Sequence, residues 1–124
     1  MRMTVIGCGY LGAVHAACMA ALGNDVVGID IDHDKVQALA SGRSPFHEPG
    51  LDEILAQGTV SGRLRFTAEP TAADLRGRGL HFITVGTPQA AGEGSADLSH
   101  LMCAVSMLVR LLDPDEGAVV VGKS

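Results

Sequence analysis

The sequence predicts an α/β fold in which about five parallel strands form a doubly wound sheet with helices on both of its faces. Two observations lead to this prediction. Short apolar runs of strand length alternate along the chain with longer segments of helical period. A helix that connects two parallel strands must lie on a face of their sheet. The chain has 124 residues, of which 47% are hydrophobic and 19% charged, so we expect one domain with one core over residues 1–124.

The first half of the chain alternates strands with helices. The strands are predicted at residues 3–6, 26–29 and 64–66, and the helices at residues 11–22, 32–40 and, as a short one, around Leu51, Ile54 and Leu55. The first helix is apolar and rich in Ala, with Leu11, Val14, Cys18 and Leu22 at helical spacing. We expect its small side chains to let it pack closely on the sheet. Gly23 is expected to end this helix, and Asp32 to cap the next one.

The second half continues the alternation. A short helix is predicted at residues 71–75, strands at residues 80–85 and 118–121, and an amphipathic helix where apolar residues recur at steps of three and four from Leu98 to Leu112. Asp97 is predicted to cap this helix and Pro114 to stop it. Because residues 118–121 are all apolar, we expect the last strand to be buried on both faces. The whole pattern predicts a Rossmann-like sheet with the strand order 3-2-1-4-5.

Charge and composition argue against several classes of function. The formal charge of −5 and the pI of about 5.4 leave no basic face for a phosphate backbone, so we expect no nucleic-acid partner. The apolar runs are too short to cross a bilayer and the first residues do not resemble a signal peptide, so we expect no membrane partner and a cytoplasmic location. The histidines show no paired ligand spacing, and we expect no metal site. Cys8, Cys18 and Cys103 lie in apolar runs and are expected to be buried thiols.

The motif that indicates a ligand is the G-x-G-x-x-G run at residues 7–12, between the first strand and the first helix. Gly7 permits a tight turn, Gly9 lets a pyrophosphate approach the backbone, and Gly12 lets the helix pack closely on the strand. The N–H groups at the start of the helix would then face the phosphates. Taken alone, the run is also compatible with three ordinary turn glycines.

The second half of this dinucleotide fingerprint is an acidic residue at the end of the next strand. Asp30 occupies that position, where its carboxylate would accept hydrogen bonds from both hydroxyls of the adenosine ribose and repel the 2′-phosphate of NADP. No Arg occurs within the next several residues, which favours NAD as the cofactor. The alternative reading of Asp30 is a solvated carboxylate at a strand end.

Several segments resemble the N-terminal NAD-binding domain of the UDP-glucose/GDP-mannose dehydrogenase family. They are residues 7–12 with Tyr10 in the variable slot, residues 28–32 followed by Lys35, and residues 45–51, 82–88 and 97–99. The E-P-G-L run at residues 48–51 and the V-G-T-P run at residues 85–88 are the specific ones. Together the segments span essentially the whole chain.

The resemblance implies a set of cofactor-binding residues at the glycine turn, at the ribose and in the turn after the fourth strand: Gly7, Gly9, Tyr10, Leu11, Gly12, Asp30, Lys35, Val85, Gly86 and Thr87. Alternatives remain for three side chains. Lys35 is also compatible with a solvated surface residue, and Thr87 with a simple turn residue before Pro88. Glu48 is either a polar anchor near the site or an ordinary loop carboxylate ahead of a helix.

The resemblance also implies a reaction for the full-length protein. Members of the family remove two hydrides in succession from the C6 hydroxyl of a nucleotide sugar, through a cysteine-bound intermediate, and consume two NAD in making a uronate. The family's nucleophilic Cys, its partner Lys and Asp, and its central and C-terminal parts would lie beyond Ser124. We therefore expect no catalytic residue in residues 1–124 and no activity of this segment alone.

The sequence gives less information about the nucleotide sugar and the oligomeric state. UDP-glucose is favoured, with a role in nucleotide-sugar metabolism and polysaccharide biosynthesis, but the spacing of residues 57–64 also resembles the GDP-mannose enzymes. A homodimer is expected for the full-length protein. A regulatory NAD-binding module is a competing class, but it has no reason to carry the E-P-G-L and V-G-T-P runs. A methyltransferase is another, but Gly12 and the placement of Lys35 favour a dinucleotide.

Overall fold

A computed structural model describes residues 1–88 and 97–123, and the alternating apolar runs form one parallel sheet. The strands are β1 (Arg2–Ile6), β2 (Asp25–Ile29), β3 (Leu64–Thr67), β4 (Leu80–Ile83) and β5 (Val119–Gly122). The helices are α1 (Tyr10–Ala21), α2 (His33–Ala40), α3 (Leu51–Ser61), α4 (Ala72–Leu75) and α5 (Ser99–Leu111). The strand order is β3-β2-β1-β4-β5, and every neighbouring pair is parallel, which confirms the predicted order.

Alternate residues of the strands enter two separate cores. Met3 and Val5 pack under α1, α2 and α3, whereas Ile6 faces the layer that contains α4 and α5. Helices therefore cover both faces of the sheet, as predicted. The connections from β1 and β4 leave on opposite faces, and the carboxyl ends of these two neighbouring strands border a crevice where this kind of sheet binds ligands.

The helix α1 approaches the sheet through alanines. Ala13, Ala16 and Ala17 are fully buried and Ala20 is nearly so. The larger residues that the sequence places at helical spacing do not form the buried stripe, because Leu22 is 75% exposed. Small side chains allow the helix axis to lie close to β1. Among the larger apolar residues, Val14 packs at the margin of the core, whereas Cys18 is exposed.

Two of the three cysteines are not where the sequence predicts them. Cys8 is buried, but Cys18 and Cys103 are exposed. Both exposed cysteines lie on helices whose opposite sides pack on the sheet, as Ala104 and Leu108 do in α5. An apolar neighbourhood in sequence does not say which side of a helix a residue occupies, since successive residues turn by about 100° around the axis.

The helix α3 is longer than predicted and runs to Ser61. The sequence marks only its first five residues as apolar at helical spacing, and Gly58 and Thr59 are poor helix formers. Packing explains the extension: a Cβ on Gly58 would lie 2.9 Å from Leu64 Cβ and 3.5 Å from Ala20 Cβ. Glycine at this position lets α3 lie close to both β3 and α1.

Other differences concern the second half of the sheet. The prediction that the last strand is buried on both faces is wrong, because Val119 and Val120 are 59% and 47% exposed. Among the described residues β5 pairs only with β4, so it is an edge strand. The strand β4 ends two residues earlier than predicted, at Ile83, close to where its partner β1 gives way to the glycine turn.

The start of α5 also differs from the prediction. Leu98 rather than Asp97 is the N-cap residue. Asp97 still stabilises the start, since its Oδ1 accepts a hydrogen bond from the Ser99 N–H at 2.9 Å. Within residues 1–88 and 97–123, we find no helix with the length and apolar character needed to cross a membrane, and no cluster of three or more potential metal ligands.

Candidate functional site

The turn between β1 and α1 contains three glycines that the structure uses differently. Gly7 has φ +94°, and a Cβ there would lie 2.7 Å from Val85 N. A Cβ on Gly12 would collide with the Gly7 carbonyl oxygen and lie 2.6 Å from Thr84 Oγ1. At Gly9, φ is −67° and a Cβ would meet no atom within 4 Å. Backbone geometry and packing therefore require Gly7 and Gly12, while Gly9 borders open space.

That open space lies at the amino end of α1. Gly9 is the N-cap residue, and the helix begins at Tyr10, with half-buried Leu11 following. The N–H groups of the first turn have no acceptor within the helix. The first turn contains no acidic residue, so its partial positive charge is not offset locally. A phosphate group fits these donors, and the absent side chain at Gly9 leaves room for it.

Asp30 follows β2 and turns toward the glycine turn. Its Oδ2 accepts a hydrogen bond from the Cys8 N–H at 2.8 Å, and its Oδ1 accepts one from the Asp32 N–H at 2.9 Å. The side chain is only 9% exposed. The carboxylate is thus oriented by the backbone on both sides, and it links the tip of β2 to the turn after β1.

Lys35 adds a cation to this carboxylate. Its Nζ lies 3.4 Å from Asp30 Oδ2, while its backbone N–H donates to Asp32 Oδ1 at 3.1 Å, which makes Asp32 the N-cap of α2 as predicted. An ionised carboxylate accepts about four hydrogen bonds, so the three protein donors around Asp30 leave room for about one ribose hydroxyl. The second hydroxyl that the sequence analysis assigned to Asp30 would have to share that capacity.

The segment after β4 lies against the same turn. Val85 is close to Gly7, since its Cα would lie 2.8 Å from a Cβ placed there. Gly86 and Thr87 follow, and both are exposed. The structure therefore brings the V-G-T residues and the glycine turn together at the carboxyl edge, on either side of the β1/β4 boundary.

Thr84, directly after β4, contacts the glycine turn and was not predicted as a residue of the site. The Thr84 hydroxyl lies 2.5 Å from the Gly7 carbonyl oxygen and 3.1 Å from that of Ile6, and it packs where a side chain at position 12 would otherwise be. The residue is nearly buried. Its position between Ile83 and the V-G-T-P run was the available signal, but a Thr at a strand end gives no indication of its partner.

The Cys8 thiol is buried under the glycine turn, where it serves as a packing group. Its Sγ lies under the turn, 3.6 Å from the Ile29 carbonyl oxygen and close to Gly28, where a Cβ would be 3.1 Å away. Burial, reinforced by the negative charge of Asp30, raises the pKa of the Cys8 thiol to about 12. The thiol therefore stays protonated near neutral pH and is not a nucleophile.

The histidine nearest to the end of β5 is also kept neutral. His15 on α1 contacts the edge of the Phe82 ring, with centroids 4.3 Å apart, and its Nδ1 lies 3.3 Å from Lys123 Nζ. Burial and then the positive charge of Lys123 lower the pKa of His15. A neutral imidazole can accept a hydrogen bond from the ammonium group, which joins α1 to the residue after β5.

Comparison with known proteins agrees with this geometry. The family model described as the NAD binding domain of the UDP-glucose/GDP-mannose dehydrogenase family matches residues 1–124. A UDP-glucose 6-dehydrogenase of Rhizobium meliloti is 45% identical over 104 residues, which cover 84% of this chain and 24% of that protein. A GDP-mannose 6-dehydrogenase of Pseudomonas syringae pv. tomato is 43% identical over 101 residues, covering 82% of this chain and 23% of that one.

A solved structure shares the fold as well. That of a UDP-D-ManNAc dehydrogenase from Pyrococcus horikoshii superposes with a TM-score of 0.89 at 34% identity, over 100% of this chain and 28% of the other. The chain therefore spans about a quarter of the length of each of these three proteins.

Proposed function

Because the chain belongs to the UDP-glucose/GDP-mannose dehydrogenase family and is matched by the family's NAD-binding domain, we propose that it holds NAD while the full-length protein oxidises the C6 hydroxyl of a nucleotide sugar. The observation that carries the proposal is the placement of the Asp30 carboxylate, 2.8 Å from the Cys8 N–H at the mouth of an open glycine turn. NAD, when bound, supplies the acceptor for the hydride that leaves the sugar carbon.

In this proposal each wall of the crevice has a separate role. The N–H groups of Gly9, Tyr10 and Leu11 at the start of α1 bind the pyrophosphate, and the turn itself is shaped by Gly7 and Gly12. A ribose hydroxyl donates to Asp30, with Lys35 compensating part of the carboxylate's charge. Half-buried Val85 and exposed Gly86 and Thr87 form the opposite wall, which faces the remainder of the dinucleotide.

The same residues explain a preference for NAD. The 2′-phosphate of NADP would lie beside Asp30 and be repelled by it. Among the described residues, the one cation in contact with Asp30 is Lys35. Its Nζ lies 3.4 Å from the carboxylate and is not free to neutralise a phosphate dianion. The 2′-phosphate of NADP would therefore bind less favourably here than the ribose hydroxyl that it replaces.

For the sugar we propose UDP-glucose, with GDP-mannose as the alternative. Both substrates occur among the relatives of similar identity, which are 45% and 43% identical to this chain. Residues 1–124 correspond to about a quarter of those proteins, so we assign the sugar contacts and the catalytic Cys, Lys and Asp to other parts of the full-length enzyme. We propose that the full-length enzyme is a cytoplasmic homodimer that supplies uronates for polysaccharide synthesis.

Calorimetric titration of the protein with NAD and with NADP tests the cofactor site. We expect NAD to bind more tightly than NADP by at least about tenfold, the equivalent of one lost charge-assisted hydrogen bond. Equal affinities, or no binding of either dinucleotide, would contradict the assignment of Asp30.

The substrate is tested on the full-length enzyme with UDP-glucose and GDP-mannose in separate assays of NADH formation. We expect two NADH for each UDP-glucose consumed and slower turnover of GDP-mannose. The reverse preference would favour the GDP-mannose alternative. Binding of NAD with no turnover of any nucleotide sugar would instead indicate a regulatory module.

A further inference from the structure

The loop between α2 and α3 touches the glycine turn through one tyrosine. Tyr10, the first residue of α1, donates a hydrogen bond from its phenolic O–H to Glu48 Oε2 at 2.7 Å. Its ring also meets the Phe46 ring edge to face, with centroids 6.0 Å apart and an interplanar angle of 86°. The two partners are 38 and 36 residues from Tyr10 in sequence, so these contacts join distant segments.

The loop that carries Glu48 is internally braced. The Ser44 hydroxyl accepts from the Phe46 N–H at 2.9 Å, and the Ser44 N–H donates to Asp52 Oδ1 at 2.7 Å. Phe46 itself is half-buried against the core under α1, and the Leu51 N–H donates to the Glu48 carbonyl oxygen at 3.2 Å. The carboxylate of Glu48 is therefore presented to Tyr10 from a supported backbone.

The hydrogen bond determines what the tyrosine offers to a ligand. A phenol has one proton to donate, and here that proton is directed to Glu48 and not into the space over Gly9. The bond and the negative charge of Glu48 raise the pKa of Tyr10. Tyr10 is 52% exposed and directly follows Gly9, the N-cap residue that borders the open space. Its ring therefore offers an apolar surface close to the turn.

We propose that Glu48 is a positioning residue for the cofactor: by holding the Tyr10 hydroxyl, it fixes the ring as a side wall of the pyrophosphate site and couples the loop at residues 44–50 to NAD binding. The inference rests on the proposed placement of the dinucleotide at the glycine turn. Glu48 acts through Tyr10 and need not touch the cofactor. An ordinary loop carboxylate would have no such effect on NAD.

The test is a double-mutant cycle on NAD affinity, measured by calorimetry with the protein and its variants. Y10F removes the hydroxyl and keeps the ring, and E48A removes the acceptor. Each is expected to raise the NAD dissociation constant roughly three- to tenfold, the effect of one net hydrogen bond. Because both remove the same interaction, the double variant should bind no more weakly than either single one. E48Q keeps an acceptor oxygen and should restore most of the affinity.

The matched control is E53Q, which removes one negative charge from the exposed first turn of α3 without touching Tyr10. It should bind NAD as the parent does. An E48A variant within twofold of the parent, or additive losses in the double variant, would overturn the inference while leaving the proposed function in place. A parent protein that binds no NAD would overturn both. Should E48A fail to fold, Y10F carries the test: an NAD dissociation constant of Y10F within twofold of the parent value would overturn the inference.

A spectroscopic measurement separates this role from a merely structural one. Tyr10 is the single tyrosine of a chain without tryptophan, so the ultraviolet absorbance of tyrosinate reports its ionisation alone. In E48A the pKa of Tyr10 should fall toward that of a free phenol, and in E53Q it should not. NAD should quench or shift the fluorescence of Tyr10 in the parent and less so in E48A. Unchanged titration in E48A would show that the hydrogen bond is not formed.

Discussion

The glycine turn and the strand β5 belong to the same sheet, yet they are held in different ways. At the turn, Cys8 is fully buried and the side chain of Asp30 is 9% exposed. In β5, Val119 and Val120 are 59% and 47% exposed, and among the described residues the strand pairs with β4 alone. The glycine turn is therefore packed against neighbouring segments, whereas β5 is held by hydrogen bonds on one side.

The two regions differ in how many neighbouring segments hold them in place. Hydrogen bonds join the turn to Asp30 and to Thr84, and Ile6 beside the turn packs on α5 from the other face of the sheet. The cofactor donors are therefore preorganised. The apolar sequence of β5 is not matched by burial among the described residues. An apolar run such as β5 thus indicates where burial would be favourable, but it does not show that the run is buried. Cys8 in the glycine turn is buried because other segments pack on it.

The largest contrast is expected in thiol reactivity. Burial raises the pKa of Cys8 from 9.0 to about 12, so its thiolate fraction near neutral pH is about a thousandfold lower. Exposed Cys18 and Cys103 should react with iodoacetamide first, as followed by mass spectrometry of intact protein and peptides. Labelling of Cys8 at the rate of Cys103 would mean that the turn opens readily and is not the rigid region inferred above.

A second contrast lies within the turn. Gly12→Ala forces a Cβ onto the Gly7 carbonyl oxygen and Thr84 Oγ1, so we expect a loss of about 3 kcal/mol in the free energy of unfolding. Gly9→Ala meets no atom within 4 Å and has an ordinary φ of −67°, so its stability should stay within about 0.5 kcal/mol of the parent. Its NAD affinity should nevertheless fall, because the methyl group enters the open space.

Urea unfolding followed by circular dichroism measures the first effect, and calorimetry with NAD the second. The two glycine variants serve as controls for each other. If Gly12→Ala were as stable as the parent, close packing of α1 on the turn would not be what requires glycine at that position.

The third prediction concerns the carboxylate that links β2 to the turn. Asp30→Ala should weaken NAD binding by about 1.5–3 kcal/mol, the scale of a hydrogen bond to a charged group. Asp34→Ala is the control, since Asp34 is an exposed acid in the first turn of α2. Calorimetry should show no change of NAD affinity for that variant. Equal affinities of Asp30→Ala and the parent would remove Asp30 from the site.

The smallest effects test the sheet itself. Val27 is fully buried in the central part of the sheet, whereas Val120 lies on the exposed edge strand. Val27→Thr buries a hydroxyl and should lose about 1–3 kcal/mol of stability. Val120→Thr should change it by less than about 0.5 kcal/mol. Chemical denaturation of both variants checks the comparison, which would fail if the two losses were equal.

How far the sequence predicts this molecule depends on whether a feature is local. The strand order and the placement of the glycine run between β1 and α1 follow from spacing alone, as does Asp30 at the end of β2. The exposure of Cys18 could not be predicted, because α1 is apolar on nearly every side and its periodicity does not single out the face that packs.

The site shows the same division. Gly7 and Gly12 were identified with their reasons, because a tight turn and a close helix contact each require a missing Cβ. The contact of Thr84 with the turn spans 77 residues, and that of Glu48 with Tyr10 spans 38. Neither pairing leaves a pattern within the short windows from which sequence periodicity is read.

By itself, the amino-acid sequence determines the alternation of strands and helices, the turn chemistry at residues 7–12 and the family to which the chain belongs. These depend on local periods and on residue types whose conformational properties are intrinsic. Only the tertiary structure decides which side of each helix is covered, that β5 is an exposed edge, and that Asp30 reaches the Cys8 N–H. Those outcomes depend on distances between segments far apart in the chain, and packing of the whole sheet sets such distances.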